Sequence, residues 1–259
     1  MLDAFRPNKN LSAKAWTILL VTEVALLGVA WSLGDKLSIP GPLDTVLALG
    51  RLITQEGLLF ELWVSFKVNI QAIALSSVLS IGLSYLTVLP VMRPFVEFCS
   101  KARFFSMAGF VTMFTLAFGG GHALKVALLT FGMTVFFITS MSAVVAEITK
   151  SEWDQARSLR MTPWRAVWEV VVLGKADAAF EVLRQNAAIG WMMLTLVEGL
   201  VRSEGGVGGI LLNQSKYRHW DAVFAIQLTV LLVGIFQDRF IVYLKRVFCP
   251  YAFLTLERK

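Results

Sequence analysis

The sequence of 259 residues is 56% hydrophobic and only 16% charged, whereas soluble domains are about 45–50% apolar and about 25% charged. This composition excludes a disordered chain, a collagen-like repeat and a nucleic-acid-binding module, and it predicts an integral membrane protein. We relate the net charge of +6 to membrane topology and not to a polyanionic partner. The 2 cysteines, Cys99 and Cys249, are too far apart in sequence to indicate a disulfide scaffold or a metal site.

A membrane-spanning helix needs about 20 mostly apolar residues, and six stretches fit. In chain order they cover Ala15 to about Leu33, Ser65 to Leu89, Phe104 to Phe118, Ala123 to about Ala146, Leu183 to Val201, and Ala222 to Leu244. The third is short, so it must tilt or break, or Arg103 must snorkel. We interpret the first as an uncleaved anchor, because its apolar run is longer than that of a signal peptide and no cleavage site follows. The fold class is therefore an all-α membrane protein with about six transmembrane helices.

Basic residues set the predicted orientation. Sixteen Lys and Arg residues lie on the side that holds both termini, against six on the opposite side. The positive-inside rule places that side in the cytoplasm. We divide the chain into an N-terminal anchor helix and outer connector (1–64), a core bundle (65–248) with a cytoplasmic loop (148–177), and a cytoplasmic tail (249–259).

The outer connector contains a turn, because Ile39-Pro40-Gly41-Pro42 cannot remain helical. After Pro42, apolar residues recur near helical spacing. They predict a short amphipathic helix at the membrane interface, with a plain connector as the alternative. These residues are Val46, Leu47, Leu49 and Leu52.

The long cytoplasmic loop is predicted to form two helices with a hinge near Met161. Ser151 and Asp154 fit a capping box at the start of a first helix that runs to Arg160. Thr162-Pro163 fits the start of a second helix. Helical spacing places Trp164, Val167, Trp168 and Val171 on one face of that helix. A structured loop of this length is usually functional.

Motifs for catalysis and for nucleotide or metal binding are absent from the sequence. There is no phosphate-binding loop for ATP, and the glycine-rich stretches 119–121 and 205–209 are better explained as tight turns. The two histidines, His122 and His219, are too few and too isolated for a metal site. We therefore expect no catalytic residue, no metal and no cofactor in this chain.

Charged residues near or inside the apolar stretches are few, and such residues are functional candidates by default. Glu198 must face a cavity, a partner or the interface, and Glu23 has the same requirement in the more peripheral first stretch. Interfacial snorkelling explains the other five: Lys67, Lys125, Glu147, Arg184 and Asp238.

Several blocks of sequence resemble one family. The stretch from Asp154 to Arg165, leading into Val170-Val171-Val172-Leu173, is similar to a signature of Glu-Ala-Ala, three residues, Gly, nine residues and Ile-x-Leu-Pro. Further blocks match the same family: Ile39-Pro40-Gly41-Pro42, Phe118-Gly119-Gly120-Gly121, Val197-Glu198-Gly199, Gly206 to Leu211, Asp221 to Phe224, and Gly234 to Arg239. Together they resemble the permease subunit of a bacterial ABC importer of the nitrate/sulfonate/taurine type, over about 85% of the chain.

The signature loop departs from the family pattern at four positions. Asp154 stands for its first acid, Gln155 for its first alanine, Arg160 for its glycine and Leu173 for its last proline. A proline usual in the third span is also missing near Ser106. These departures leave normal coupling an open question. They fit either a divergent lineage or pairing with a second, more standard permease.

The resemblance implies a type I ABC importer permease-like bundle in the bacterial inner membrane that moves a small solute and is not itself an enzyme. ATP and magnesium would bind a cytoplasmic ABC ATPase dimer. The other implied partners are a second permease subunit, a periplasmic or lipid-anchored solute-binding protein, and membrane lipid, but no nucleic acid. The loop would contact the ATPase as a coupling helix through Ser151, Asp154, Gln155, Ala156, Arg157, Leu159, Arg160, Trp164 and Arg165.

Two further matters stay open. Candidate pathway residues are Glu198, Lys67 and Arg184; with Lys125, the two cations favour an anion such as nitrate, a sulfonate or taurine, although each also has an interfacial explanation. The sequence does not decide between a homodimer and a heterodimer. The alternative functions are an intramembrane enzyme, for which no nucleophile–base pair is visible, and a non-transporting membrane scaffold.

Overall fold

A computed structural model describes residues 13–32, 40–201 and 204–253. Every regular element in these residues is helical. Within them the α-helices are α1 (Ala13–Ser32), α2 (Pro42–Gln55), α3 (Leu58–Tyr85), α4 (Arg93–Lys101), α5 (Met107–Phe118), α6 (His122–Ala146), α7 (Lys150–Ser158), α8 (Pro163–Ala166), α9 (Ala176–Leu200), α10 (Val207–Lys216) and α11 (Trp220–Phe248). Some predicted positions lie outside the described residues: Arg6, Lys9, Leu33, Lys36, Ile39, Arg202, Arg258 and Lys259.

Short segments of other helix types join these elements. A π-helix over Val167–Leu173 continues α8. The 3-10 helices are Leu86–Val88, Pro90–Met92, Ala102–Phe104 and Pro250–Phe253. α5 begins at Met107 and not at the predicted Phe104, because the chain passes through a separate 3-10 turn and an extended Ser106 first.

Three helices of the described residues are long and apolar enough to cross a membrane: α3 with its 3-10 extension, α6 and α11. They correspond to the second, fourth and sixth predicted stretches, and α5 is a shorter apolar helix at the third. The first and fifth stretches fall on α1 and α9. The chain is therefore a membrane protein that is all-helical over its described residues, and the number of six spans stays a prediction.

The chain forms two compact units, of which the first comprises residues 1–57 and 214–227. Here α2 begins at Pro42, as predicted, and the Gly41 amide donates to Asp44 Oδ2 at 3.3 Å. Leu52 is buried in the protein, whereas Val46 and Leu47 are exposed. The placement of α2 at the membrane interface stays a prediction.

The first unit also contains polar links between its separate segments. Arg51 forms an ion pair with Asp221. Gln214 Nε2 donates to Glu56 Oε2 at 2.6 Å, and His219 Nδ1 lies 2.7 Å from Gln214 Oε1. These bonds connect α2 with the end of α10 and the start of α11 within this unit.

The second unit comprises residues 58–213 and 228–259. In it α6 packs against α3, α5 and α9, and α3 packs against α9. The buried face of α3 consists largely of small residues, and Ser80 Oγ donates to the Thr134 carbonyl of α6 at 3.2 Å. Small residues allow close approach of helices where lipid provides no hydrophobic driving force. This stripe is Ser65, Ala72, Ser76, Ser80 and Ser84.

Candidate functional sites

The first site is the two-helix loop, defined here as residues 149–175. Its first helix, α7, begins with a capping box in which Thr149 Oγ1 accepts from the Glu152 amide and Glu152 Oε2 accepts from the Thr149 amide at 2.6 Å. The predicted box at Ser151 and Asp154 is therefore wrong by two residues. Both pairs fit the sequence pattern, but the longer glutamate side chain reaches back to the free amide.

Glu152 also links the two ends of the two-helix loop. Lys175 Nζ donates to Glu152 Oε1 at 2.9 Å. This bond, and then the bond from the Thr149 amide, lower the pKa of the Glu152 carboxyl below its usual value. The carboxylate thus caps α7 and holds it next to the start of α9.

α7 ends in a Schellman motif, the common helix ending that needs one residue in the left-handed region. The Met161 amide donates to the Ala156 carbonyl at 3.2 Å, and the Arg160 amide donates to the Arg157 carbonyl at 2.9 Å. Arg160 has φ of 52°. It occupies the position of the glycine in the signature loop that the sequence resembles, and its conformation is one that glycine adopts without strain. The predicted break between two helices near Met161 is confirmed, and its action as a hinge stays a prediction.

The second helix of the loop starts at Pro163, as predicted. Thr162 is its N-cap, but its side chain makes no capping bond. The predicted common face is wrong, since Val171 is buried while Trp164 and Trp168 are 67% and 57% exposed. The reason is the π-helix, whose wider turns shift side chains away from the spacing of an α-helix.

The candidate ATPase-contacting residues divide into an exposed set and one buried residue. The exposed set is Ser151, Asp154, Gln155, Arg157, Leu159, Arg160, Trp164 and Arg165. Ala156, in contrast, is buried in the protein. A bulky substitution at Ala156 would disturb the loop itself, so it cannot serve as a test of docking.

The second site is a buried network at the end of the second unit where α3 and α6 begin and α9 ends. Glu198 is completely buried. Its carboxylate accepts from Ser65 Oγ at 2.7 and 2.8 Å and from the Gly208 amide at 3.0 Å, and Ser65 Oγ accepts from the Val207 amide at 2.9 Å. The network therefore fixes the glycine-rich segment 205–209 against α3 and α9.

Two more charged residues hold the same segment. Lys125 Nζ donates to the Gly205 carbonyl at 2.6 Å, and the Glu61 carboxylate accepts from the Gly206 amide. Interfacial snorkelling of Lys125 is thus wrong, because its side chain is completely buried. The apolar residues around Lys125 in sequence concealed a bond to a carbonyl that lies 80 residues away.

Glycine is required at several positions of this segment. Gly205 and Gly206 have φ of 71° and 109°, as expected for tight turns. A Cβ at Gly208 would clash with the backbone carbonyl of Thr195, whereas a Cβ at the adjacent Gly209 meets no atom within 4 Å. The close contact between α10 and α9 therefore depends on Gly208 specifically.

A third polar cluster lies in the core of the second unit and was missed by sequence reasoning. Gln237 Oε1 accepts from Asn69 Nδ2 at 3.0 Å and from Trp191 Nε1 at 2.8 Å. Asn69 Oδ1 and Gln237 Nε2 are buried without a hydrogen-bond partner in the described residues. Uncharged amides inside apolar stretches give little signal in a charge-based search, although their rarity there is itself a signal.

The remaining candidate residues lie apart from these clusters. Arg184 pairs with Glu181 at 3.2 Å and with Asp238 at 3.1 Å, so it is held by acids. Lys67 is exposed and lies well inside α3 rather than near its edge, because α3 begins seven residues before the predicted span. The described residues contain no cluster of His, Cys, Asp and Glu side chains suited to a metal ion.

Comparisons with known proteins identify the fold. No protein-family model matches the sequence, and no curated protein matches it. Among solved structures, the chain is similar to a chain of the MetNI methionine ABC transporter in inward facing conformations, with 16% identity and a TM-score of 0.52. The match covers 75% of this chain and 95% of that chain. At this identity the likeness concerns the fold alone.

Proposed function

We propose that this chain is the transmembrane permease subunit of an ATP-driven importer in a bacterial inner membrane. It would form part of the path of a small solute and depend on a separate ATPase dimer for energy. Its other partners would be a second permease chain, identical or homologous, and a periplasmic or lipid-anchored solute-binding protein. The fold similarity supports a permease, and the motifs of the sequence support the nitrate/sulfonate/taurine type.

One observation carries this proposal: the two-helix loop directs its candidate contact residues outward. Leu159 and Trp164 are 63% and 67% exposed beside the exposed Asp154, Arg157 and Arg165. Apolar side chains ringed by charged ones are typical of a protein interface. α7 is also fixed to the rest of the protein by the buried Ala156 and by the bond between Glu152 and Lys175. A helix held in this way can transmit force from a bound partner to the bundle.

The solute is proposed on weaker support from the side chains. Three basic residues are candidates for binding an anionic solute. Arg184 is paired with acids and Lys125 is bonded to a carbonyl. Lys67 keeps an exposed position. Nitrate, sulfonates and taurine remain the first candidates from the sequence motifs. The name of the structural neighbour makes methionine the second candidate. Uptake of labelled taurine and of labelled methionine by reconstituted vesicles separates the two.

The docking proposal is tested with Leu159→Glu. Burying one leucine at an interface contributes about 1.5–3 kcal/mol, and an unpaired carboxylate in its place costs more. We expect the variant to bind its ATPase at least about tenfold more weakly in co-purification, because about 1.4 kcal/mol is a factor of ten. The variant's own thermal stability should stay unchanged, since Leu159 is mostly exposed.

Two controls accompany this test. Leu159→Met keeps an apolar side chain at the same position and should retain the ATPase. Lys101→Glu introduces an acid at an exposed site outside the two-helix loop and should also retain it. Normal ATPase retention by Leu159→Glu would contradict the docking proposal. Loss of the ATPase from Lys101→Glu would show that added negative charge, and not the loop, is responsible.

A further inference from the structure

A half-open cavity of about 700 Å³ lies beside α7 of the two-helix loop. It is lined by residues of the 3-10 helix Leu86–Val88, the start of α4, the end of α6, and α7. Its polar lining includes Arg93, Arg157, Trp153, Thr87 and Ser142. The size falls within the range of about 300–1,000 Å³ that is usual for small-molecule sites.

The cavity wall carries two guanidinium groups and no carboxylate. Arg93 Nε donates to the Thr87 carbonyl at 3.1 Å, and within the described residues its two terminal amino groups have no acid partner. Arg157 comes from α7 and has one acid partner, Asp154 at 3.3 Å, in an ion pair whose two side chains are largely exposed. Such an exposed pair contributes little free energy, whereas Arg184 is held by two acids. The planar donors of Arg93 and Arg157 match the oxygens of phosphate or carboxylate groups.

Ser142 also lines this cavity. Its hydroxyl oxygen is shielded from solvent and has no hydrogen-bond partner in the described part of the chain, so contact with a ligand in the cavity would need a change of its side-chain rotamer. Trp153 and Val145 supply an apolar portion of the wall.

A second cavity near the same end of the bundle has the opposite charge. It has a volume of about 470 Å³ and is lined by Glu147, Asp177 and Glu181, with Lys245 as its basic residue. The arginine-lined cavity therefore differs from the second cavity in the charge of its lining. Its basic lining is not a general property of this end of the bundle. The arginine-lined cavity also lies at the ends of α3 and α6, two candidate membrane spans, which is the depth of phospholipid head groups.

We propose that the cavity between Arg93 and Arg157 binds a phosphate-bearing anion, either the head group of an acidic phospholipid or free phosphate. One bound phosphate would contact α4 through Arg93 and α7 through Arg157. It would therefore restrain the two-helix loop through Arg157, which is also one of the exposed candidate contact residues of that loop. This binding site does not depend on the proposed transport function, because it requires only the folded chain.

The test uses the purified, delipidated full chain in detergent and measures binding by calorimetry. The probes are inorganic phosphate, short-chain phosphatidylglycerol and short-chain phosphatidylcholine. We expect phosphate or phosphatidylglycerol to bind, and Arg93→Gln and Arg157→Gln each to weaken that binding at least about tenfold, as loss of one charge-assisted contact predicts. Arg93→Lys should bind with intermediate affinity, because it keeps the charge but loses the planar donor pair.

The matched control is Arg103→Gln, which removes the same charge from an exposed arginine that lies over the Phe104 ring and outside the cavity. It should bind like the unchanged chain. Binding of phosphatidylglycerol without phosphate identifies the lipid as the source, and the reverse identifies the free anion. The proposal is overturned if neither probe binds, or if Arg93→Gln and Arg157→Gln bind as Arg103→Gln does. Equal binding of phosphatidylcholine and phosphatidylglycerol would also overturn it.

Discussion

Arg160 offers a test in which the same substitution has opposite effects at two positions of one loop. Its φ of 52° costs a residue with a Cβ about 1–2 kcal/mol, and glycine avoids this cost. Part of the gain is offset because glycine gives the unfolded chain more conformational freedom. We therefore expect Arg160→Gly to stabilise the end of α7 by about 1 kcal/mol. Arg165→Gly, in α8, should destabilise the loop by about 1 kcal/mol, because glycine is a poor helix former.

The measurement is hydrogen exchange of peptides that cover α7 and Met161, whose amide forms the longer bond of the Schellman motif. A change of about 1 kcal/mol alters a local opening equilibrium about fivefold. Exchange of these peptides should slow by that factor in Arg160→Gly, and exchange of peptides that cover α8 should accelerate in Arg165→Gly. Both variants lose one positive charge from an exposed position, so the loss of charge should affect them similarly and does not predict opposite changes in exchange. Changes of the same sign and size would refute the conformational argument.

The other predictions concern capping, close packing and the core cluster. Because the pKa of Glu152 is lowered in the folded loop, its carboxylate stabilises the loop at neutral pH, and this stabilisation is lost as the pH falls through the lowered pKa. In Glu152→Gln, the protection of α7 amides from hydrogen exchange should depend less on pH, once intrinsic exchange rates are corrected for. Gly208→Ala should lower the free energy of unfolding by about 1–3 kcal/mol, whereas Gly209→Ala should be neutral or stabilising, as thermal unfolding in detergent would reveal. Gln237→Met should lower the free energy of unfolding more than Trp191→Phe, because it leaves the donors of Asn69 and Trp191 unpaired at about 1–3 kcal/mol each. Equal losses in the two variants would contradict the role of Gln237 as the shared acceptor.

Local sequence rules predicted the helix starts that depend on proline. Pro42 and Pro163 both begin helices, because a fixed φ and a missing amide suit the first helical turn. The capping box was harder, since Thr149 with Glu152 and Ser151 with Asp154 both fit the pattern. Side-chain length decided between them, and a pattern of residue types does not contain that information.

Tertiary contacts limited the rest. Lys125 resembles a snorkelling lysine in sequence, but its bond to Gly205 depends on how α6 meets a segment after α9. The cluster of Asn69, Trp191 and Gln237 likewise joins three helices. Glu198 was identified as a candidate because a carboxylate inside an apolar stretch must find partners. Its partners, Ser65 and Gly208, became known only from the fold.

The π-helical segment has a consequence for how this region can vary in length. Each π-helical turn contains more residues than an α-helical turn. Val167–Leu173 therefore contains more residues than an α-helix of the same length would need. Deleting a single residue there would let the stretch rewind as a regular helix while its flanks keep nearly the same separation. Related chains could therefore differ in length by one residue at this place and still position α9 in the bundle in the same way.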